Sequence, residues 1–182
     1  MEVLVGLLVL MIMVSIFIYN SIKGKFNEIE KAVGGMNTYL KQRYDLIPNI
    51  VESVKQYMQH ERQTLEEITK LRTEALNQGK GEDVAAVNNK ITKALEGILV
   101  SVENYPDLKS NTNFIQLQKN LKNVEDNIAA SRRFYNAAVT DFNNSLDMFP
   151  SNLFASSMGM QRREVFEINE FEKGNVDLEG LF

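Results

Sequence analysis

The chain has 182 residues and a formal net charge of −4. Positive and negative residues are interspersed, so the sequence lacks the basic face that nucleic-acid binding requires. It contains no cysteine, which excludes a disulfide framework and a thiolate metal site. The length suits one domain with a single core.

The N-terminus is one uninterrupted apolar stretch, VLVGLLVLMIMVSIFIY. From Val3 to Tyr19 no residue is charged, and about 17 residues make roughly 25 Å of helix, close to the thickness of a hydrocarbon core. A cleaved signal peptide would carry a basic start and a small-residue cleavage site, whereas Glu2 precedes this stretch and no such site follows it. We therefore predict a retained transmembrane anchor over residues 1–22.

The residues that follow the anchor carry the signal for its orientation. Lys23 and Lys25 come directly after the apolar stretch, and positive residues beside a span favour the cytoplasmic side. Glu28 and Glu30 soon dilute that charge. We expect the remainder of the chain on the cytoplasmic side.

The middle of the chain shows helical spacing, because its apolar residues recur at steps of three and four. Four stripes can be traced: Ile22, Phe26, Ile29, Val33, Met36 and Leu40; Ile47, Val51, Val54, Met58, Leu65, Ile68 and Ala75; Val84, Val87, Ile91, Ala94, Ile98 and Val102; Phe114, Leu117, Leu121, Val124, Ile128, Tyr135, Ala138, Phe142 and Phe149. The first runs directly out of the anchor, and each stripe is narrow, so the helices must bury their stripes against one another. The prediction is an all-α protein with a transmembrane helix, followed over residues 23–150 by an antiparallel up-and-down bundle of three to four long helices.

A proline interrupts the longest apolar run, in RYDLIPNIV. Inside a helix, Pro48 would remove one backbone hydrogen bond and clash with the preceding turn, at about 3 kcal/mol. That cost disappears if the chain turns between Tyr44 and Leu46 and Pro48 starts a new helix with Asp45 as its N-cap. We predict this break, and a helix that only kinks is the alternative.

The position of the break decides where the segment MFPSNLFASSMGM lies. With a break at Tyr44 to Leu46, the fourth helix brings this segment back to the anchor; with a mere kink it lies at the far end. Its apolar residues either pack under the bundle or dip into the membrane interface. The C-terminal region, residues 151–182, is predicted to consist of this apolar segment and an acidic tail.

Three blocks carry a resemblance to a known family: RYDLIPNIVESV, HERQTLEEITKLRTEA and RRFYNAAVTDFNNSLDMFPSN, behind one apolar helix and YNSIKGKF. Over roughly Tyr19 to Phe166 the chain resembles the LemA family of bacterial membrane-anchored proteins. The resemblance implies a bromodomain-like four-helix bundle at the bacterial inner membrane, without a cofactor. The family has no settled biochemical activity, and one branch is linked to building an intracellular membrane.

Residues that could carry chemistry are sparse. His60 is the single histidine, and a zincin motif would need a second histidine where Thr64 stands. With one histidine there is little to activate a serine nucleophile. We predict no enzyme, no catalytic residue, no metal site and no cofactor.

The motif residues are instead predicted to serve structure and interaction. On the fourth helix, Arg133 and Asp141 share one stripe, and we hypothesise that either of them clasps the corner of Arg43, Tyr44 and Asp45. The alternative is that all are ordinary surface residues. The complete candidate set is Arg43, Tyr44, Asp45, Pro48, Asn49, Arg132, Arg133, Tyr135, Asn136, Asp141, Asn144, Phe149 and Pro150.

Two classes of function fit these features. The first is a scaffold that self-associates beside the membrane and organises it. The second is an accessory or signalling adaptor that docks onto another, unidentified membrane protein. The predicted partners are the lipid bilayer and further copies of the chain, and nucleic acid is not among them.

Overall fold

The computed structural model describes residues 1–77 and 82–166, without the side chains of residues 82–84. Its elements are α1 (Glu2–Lys55), a 3-10 turn (Gln59–Glu61), α2 (Arg62–Asn77), α3 (Glu82–Val102), α4 (Pro106–Lys109), α5 (Thr112–Asp147) and α6 (Ser151–Ser157). No β-strand occurs in this part of the chain. The predicted all-α class, with an apolar N-terminal helix followed by a helical bundle, is confirmed.

Helix α1 begins in the apolar N-terminal stretch and continues without interruption far beyond it. It is long and apolar enough to cross a membrane. Its large apolar side chains from Val3 to Phe17 are exposed, and a bilayer would cover such a surface. The predicted continuity between the anchor and the first bundle helix is confirmed.

The break predicted at Pro48 is wrong, because Pro48 lies inside α1. Tyr44 and Leu46 are helical, so Asp45 is not an N-cap. The chain leaves α1 after Lys55, where the backbone N–H groups of Tyr57 and Met58 donate to the Val54 carbonyl at 3.0 and 2.8 Å. The turn is therefore about ten residues later than predicted, at a site without glycine or proline.

The chain consists of two compact units. The anchor unit comprises Met1–Met36 and Ala130–Phe182, described here as far as Phe166, and the hairpin unit comprises Asn37–Ala129. Both α1 and α5 run through the two units. Each unit has its own buried apolar side chains.

In the anchor unit, α1, α5 and α6 enclose one apolar cluster. Its buried members are Ile18, Ile22, Ile29, Ala138, Val139, Phe142 and Ala155. The Phe26 ring meets the Phe142 ring edge-on at 5.8 Å, a favoured aromatic geometry. Because Phe154, Met158 and Met160 pack on this cluster, MFPSNLFASSMGM lies beside the end of the anchor stretch. The predicted return of this segment to the anchor is therefore correct, although the turn after the first helix follows Lys55 and does not lie at Tyr44 to Leu46.

In the hairpin unit, α2 and α3 form a helical hairpin, and side-chain hydrogen bonds join both of these helices to α1. The apolar stripes predicted for these helices are buried, with Ile47, Val54, Ile68, Ile91 and Phe114 almost inaccessible. Asn111 caps α5, because its side-chain oxygen accepts from the N–H groups of Asn113 and Phe114 at 3.0 and 3.1 Å. Such a cap satisfies otherwise unpaired donors at a helix start.

Candidate functional site

The interior of the hairpin unit contains a polar layer built around one arginine. The Arg43 side chain on α1 has no exposed surface. One of its terminal nitrogens donates to Thr92 Oγ1 at 3.0 Å and to the Glu125 carboxylate at 3.2 Å, and the other donates to Asn88 Oδ1. A guanidinium suits such a site because its planar fork of donors can satisfy several acceptors at once.

The same Asn88 oxygen also accepts a hydrogen bond from the Tyr44 hydroxyl, at 2.7 Å. Asn88 therefore joins two neighbouring α1 residues to α3, while Glu125 brings α5 into contact with Arg43. Arg43 Nε has no hydrogen-bond partner among the described residues. A buried charge of this kind is costly to leave unpaired, so the layer depends on all three helices being in register.

Helix α2 joins the polar layer through the backbone of α1. Pro48 has no N–H, so the carbonyl of Tyr44, four residues earlier, lacks its usual helical donor. Arg72 on α2 supplies one, because its Nε donates to this carbonyl at 2.7 Å. The Pro48 ring points outward and is exposed. The hydrogen bond from Arg72 explains how α1 continues through a proline.

We call these residues the polar layer: Arg43, Tyr44, Arg72, Asn88, Thr92 and Glu125. The hypothesised clasp paired the corner of Arg43, Tyr44 and Asp45 with Arg133 or Asp141. Instead, Arg43 and Tyr44 both donate to Asn88, and Arg43 also donates to Thr92 and Glu125. Arg133 and Asp141 have exposed side chains, and Asp45 accepts from Lys41 at 3.0 Å on the surface of α1. Because the chain does not turn at Tyr44, the side chains of Arg43 and Tyr44 face the interior of the hairpin unit.

The anchor unit holds a second polar arrangement, in which α5 binds an extended segment. Residues 161–166, the terminal strap, follow α6 without regular secondary structure. Asn136 pairs with the backbone of Phe166, with both hydrogen bonds within 2.8–2.9 Å. Asn143 pairs in the same way with the backbone of Arg163, at 2.9 and 3.0 Å. Each asparagine amide thus satisfies the N–H and the C=O of one residue.

Side chains add contacts beside these backbone pairs. The Tyr135 hydroxyl donates to the Glu164 carbonyl at 3.1 Å, and its ring meets Phe166 at 4.7 Å. The Arg163 guanidinium lies 5.4 Å from the Phe26 ring centre, a cation–π contact. Burial raises the pKa of the Tyr135 phenol, the negative charges of Glu164 and Glu30 also raise it, and the charge of Arg163 opposes them.

An exposed apolar patch lies where α5 meets α6. Met148, Phe149 and Leu153 are 63%, 79% and 64% exposed. Phe149 was predicted as the last buried residue of the fourth stripe, and that is wrong because α5 ends at Asp147. One part of the apolar segment packs in the core, where Ala155 is buried, whereas this patch faces outward.

The remaining candidates lie at the surface or have ordinary surroundings. Asn49, Asn144 and Pro150 are exposed, and Arg132 is half-buried. His60 is exposed in the 3-10 turn. Within the described residues no three His, Cys, Asp or Glu side chains form a group that could hold a metal ion.

Two open grooves lie on the hairpin unit. One has a volume of about 750 Å³ between the end of α1 and α2, where Val51, Met58 and Leu65 line it. The other, about 580 Å³, lies between α3 and α5. Thr92 and Glu125 line this second groove, so two members of the polar layer reach a surface that a partner could contact.

Sequence reasoning missed Arg72, Asn88, Glu125 and the pairing role of Asn143. A signal for two of them exists, since Arg72 and Asn88 stand at positions where an apolar stripe would be expected to continue, beside Ile68 and Ile91. A polar residue within a buried stripe is an informative exception. Asn136 and Asn143 are spaced by two helical turns, which places them on one face.

A sequence profile of the LemA family matches residues 32–179. Protein LemA of Metamycoplasma hominis is 28% identical over 156 residues, which cover 85% of this chain and 71% of that protein. Magnetosome protein MamQ 2 of Paramagnetospirillum magneticum is 22% identical over 175 residues, covering 82% of this chain. Magnetosome protein MamQ of Magnetospirillum gryphiswaldense is 20% identical over 174 residues, covering 81%. The matched region spans 64% of each of these two MamQ proteins. The predicted resemblance is confirmed, and the profile extends beyond Phe166, where the resemblance was expected to end.

Proposed function

Because this chain belongs to the LemA family, we propose that it is a non-enzymatic, single-pass membrane protein that self-associates into a scaffold and organises the membrane around it. The apolar N-terminal helix and the membrane-associated relatives support a location in the membrane. The magnetosome, named in two of those relatives, supports a role in membrane organisation.

The observation that carries this proposal is the apolar patch of Met148, Phe149 and Leu153. Helix α6 packs on Ile18 and Ile22, so the patch lies beside the end of the anchor stretch. Exposed apolar side chains next to a membrane span suit the boundary between headgroups and acyl chains. If this patch inserts into the membrane as a wedge, the protein occupies area in one leaflet and not in the other.

Other features agree with a non-catalytic role on the cytoplasmic side of a bacterial inner membrane. Lys23 and Lys25 directly follow the apolar stretch, which supports that orientation. The LemA family is not known for enzymes, and an all-helical fold agrees with this. The proposed partners are the lipid bilayer and further copies of the chain.

Fluorescence quenching tests the membrane contact of the patch. The chain has no tryptophan, so Phe149→Trp creates a single reporter in the full protein, reconstituted in vesicles that contain brominated lipids. We expect strong quenching, because residue 149 would touch acyl chains. Phe134→Trp is the matched control: Phe134 is likewise exposed, but it lies within α5, about 20 Å along the helix axis from the end of that helix at Asp147. Equal quenching at both positions, or at neither, would reject the wedge.

Particle size distinguishes scaffold from adaptor. We expect the full chain in nanodiscs or detergent to form a defined homo-oligomer by mass photometry. A uniform monomer would favour the adaptor, whose docking surface the grooves on the hairpin unit could supply. Electron cryo-microscopy of the vesicles then tests membrane organisation, and unaltered vesicle shape at high protein density would argue against it.

A further inference from the structure

We propose that α5 carries a binding groove for the main chain of an extended segment, and that the terminal strap of a second copy occupies this groove in the assembly. The structure contains the same contact within one chain. This inference rests on the proposed self-association and specifies its partner segment. It begins from the pairing of Asn136 and Asn143 with backbone groups.

The spacing of the two asparagines fits an extended chain. Asn136 and Asn143 are seven positions apart on α5, about 10.5 Å along the helix axis. Their partners Phe166 and Arg163 are three positions apart, about 10 Å of extended chain. The two repeats therefore match, with the strap running antiparallel to α5. Four hydrogen bonds at 2.8–3.0 Å result.

Recognition of this kind reads backbone groups first. Each amide accepts from one N–H and donates to one C=O, groups that nearly every residue presents. The side chains of residues 161–165 are exposed, so little of the strap is locked into the apolar core. A segment held in this way can be replaced by another extended segment of similar length.

Three further contacts favour a copy of the same strap over an unrelated peptide. Phe166 lies against the Tyr135 ring, and the Arg163 guanidinium lies over the Phe26 ring. Arg162 pairs with the Asp147 carboxylate. The bound segment must therefore carry two adjacent basic residues and, three positions after the second, an aromatic residue. The strap of another copy provides them as Arg162, Arg163 and Phe166.

The connection before the strap is suited to exchange. Helix α6 ends at Ser157, and Gly159 adopts a φ of 62°, which glycine tolerates without strain. Opening this one turn would break the backbone hydrogen bonds of Gly159 to Ser156 and of Met160 to Ala155, and it would let the strap re-form its α5 contacts on a neighbour. Such swapping costs little free energy. Confinement to a membrane would raise the effective concentration of neighbouring copies.

Cross-linking of two differently marked copies tests the exchange, since the chain has no native cysteine. One copy carries Thr140→Cys, on α5 between the two asparagines, and the other carries Val165→Cys on the strap. Both positions are exposed. The bis-maleimide spacer is the one with which a chain carrying both cysteines links completely. We expect the mixed copies, reconstituted together in vesicles, to give a covalent dimer.

Matched variants show whether the asparagines hold the exchanged strap. Asn136→Ala with Asn143→Ala should reduce the mixed dimer about tenfold or more, because four hydrogen bonds are lost. Asn144→Ala, an exposed neighbour on the same helix, should leave it unchanged. Equal yields from the double variant and the control would overturn the inference.

A synthetic peptide of residues 160–166 provides a measurement that needs no altered asparagine. Excess peptide should suppress the mixed dimer, whereas the same peptide N-methylated at the positions of Arg163 and Phe166 should not, because it lacks both donors. Absence of competition, or equal competition by both peptides, contradicts main-chain recognition. If oligomers form and no mixed dimer appears, the exchange fails while the scaffold stands; if the chain is monomeric in lipid, both fail.

Discussion

In the hairpin unit, polar side chains cross the interior and bond to one another, whereas in the anchor unit two asparagines of α5 bond to the backbone of an extended segment. Arg43 is fully enclosed and touches Asn88 and Glu125 on other helices. Asn136 and Asn143 instead hold a strap whose residues are mostly exposed. Side-chain networks that join several helices define which helices pack together and in which register, while amides that bond to backbone groups leave their ligand replaceable.

The largest effect is expected where the polar contacts are enclosed. Arg43→Met should lower the free energy of unfolding by about 3 kcal/mol, because it leaves Asn88, Thr92 and Glu125 without their shared donor. Urea titration of the full chain in detergent, followed by circular dichroism, measures this. The control is Lys41→Ala, which removes an exposed ion pair with Asp45 and should change stability by less than about 0.5 kcal/mol. If Arg43→Met is as stable as the parent, the fold tolerates the buried charge of Arg43 and gains no stability from it.

An intermediate effect is expected where a side chain satisfies backbone in the hairpin unit. Arg72→Ala should cost about 2 kcal/mol, since the Tyr44 carbonyl loses its donor. In a Pro48→Ala background, the restored N–H of residue 48 supplies a donor, so the same change should cost about 1 kcal/mol less. The four unfolding free energies of this double-mutant cycle measure the coupling. Additive effects would show that Arg72 does not compensate for the proline.

The smallest effect is expected at the strap, and it depends on pH. Burial raises the pKa of Tyr135 above the ordinary tyrosine value of about 10. A raised native pKa means that the folded state holds the proton more tightly, so this stabilisation is complete below about pH 10 and is lost as the pH rises through the native value. Ultraviolet difference titration of the parent against Tyr135→Phe should show a phenol ionising above that ordinary value. A midpoint at or below it would contradict the burial of this phenol.

The apolar architecture could be predicted because burial repeats along the sequence. Ile22, Ile47, Ile68, Ile91 and Phe142 all stand on predicted stripes, and all are buried. Periodicity reports which face of a helix is apolar, and this face is a local property. Phe149 shows the limit, because the stripe continued in the sequence after α5 had ended.

The turn and the polar contacts could not be predicted for a common reason. The cost assigned to Pro48 assumed that the Tyr44 carbonyl stays unpaired. Arg72, 28 positions after Tyr44, donates a hydrogen bond to this carbonyl. Arg43 and Glu125 are 82 positions apart. Such pairs form only after the helices have packed. The local sequence therefore shows the cost of a proline or a buried charge, but it does not show the distant side chain that offsets this cost. The spacing of Asn136 and Asn143 was visible, but the segment they hold was not.

The hydrogen bond from Arg72 also bears on the order in which the protein is assembled. A nascent chain emerges from its N-terminus, so α1 leaves the ribosome before α2 does. Until α2 folds back, the Tyr44 carbonyl has only water as a donor, and the last two turns of α1 are free to bend at Pro48. The arrival of the second helix supplies that donor, so the last two turns of α1 are fixed by docking and are not the template for it.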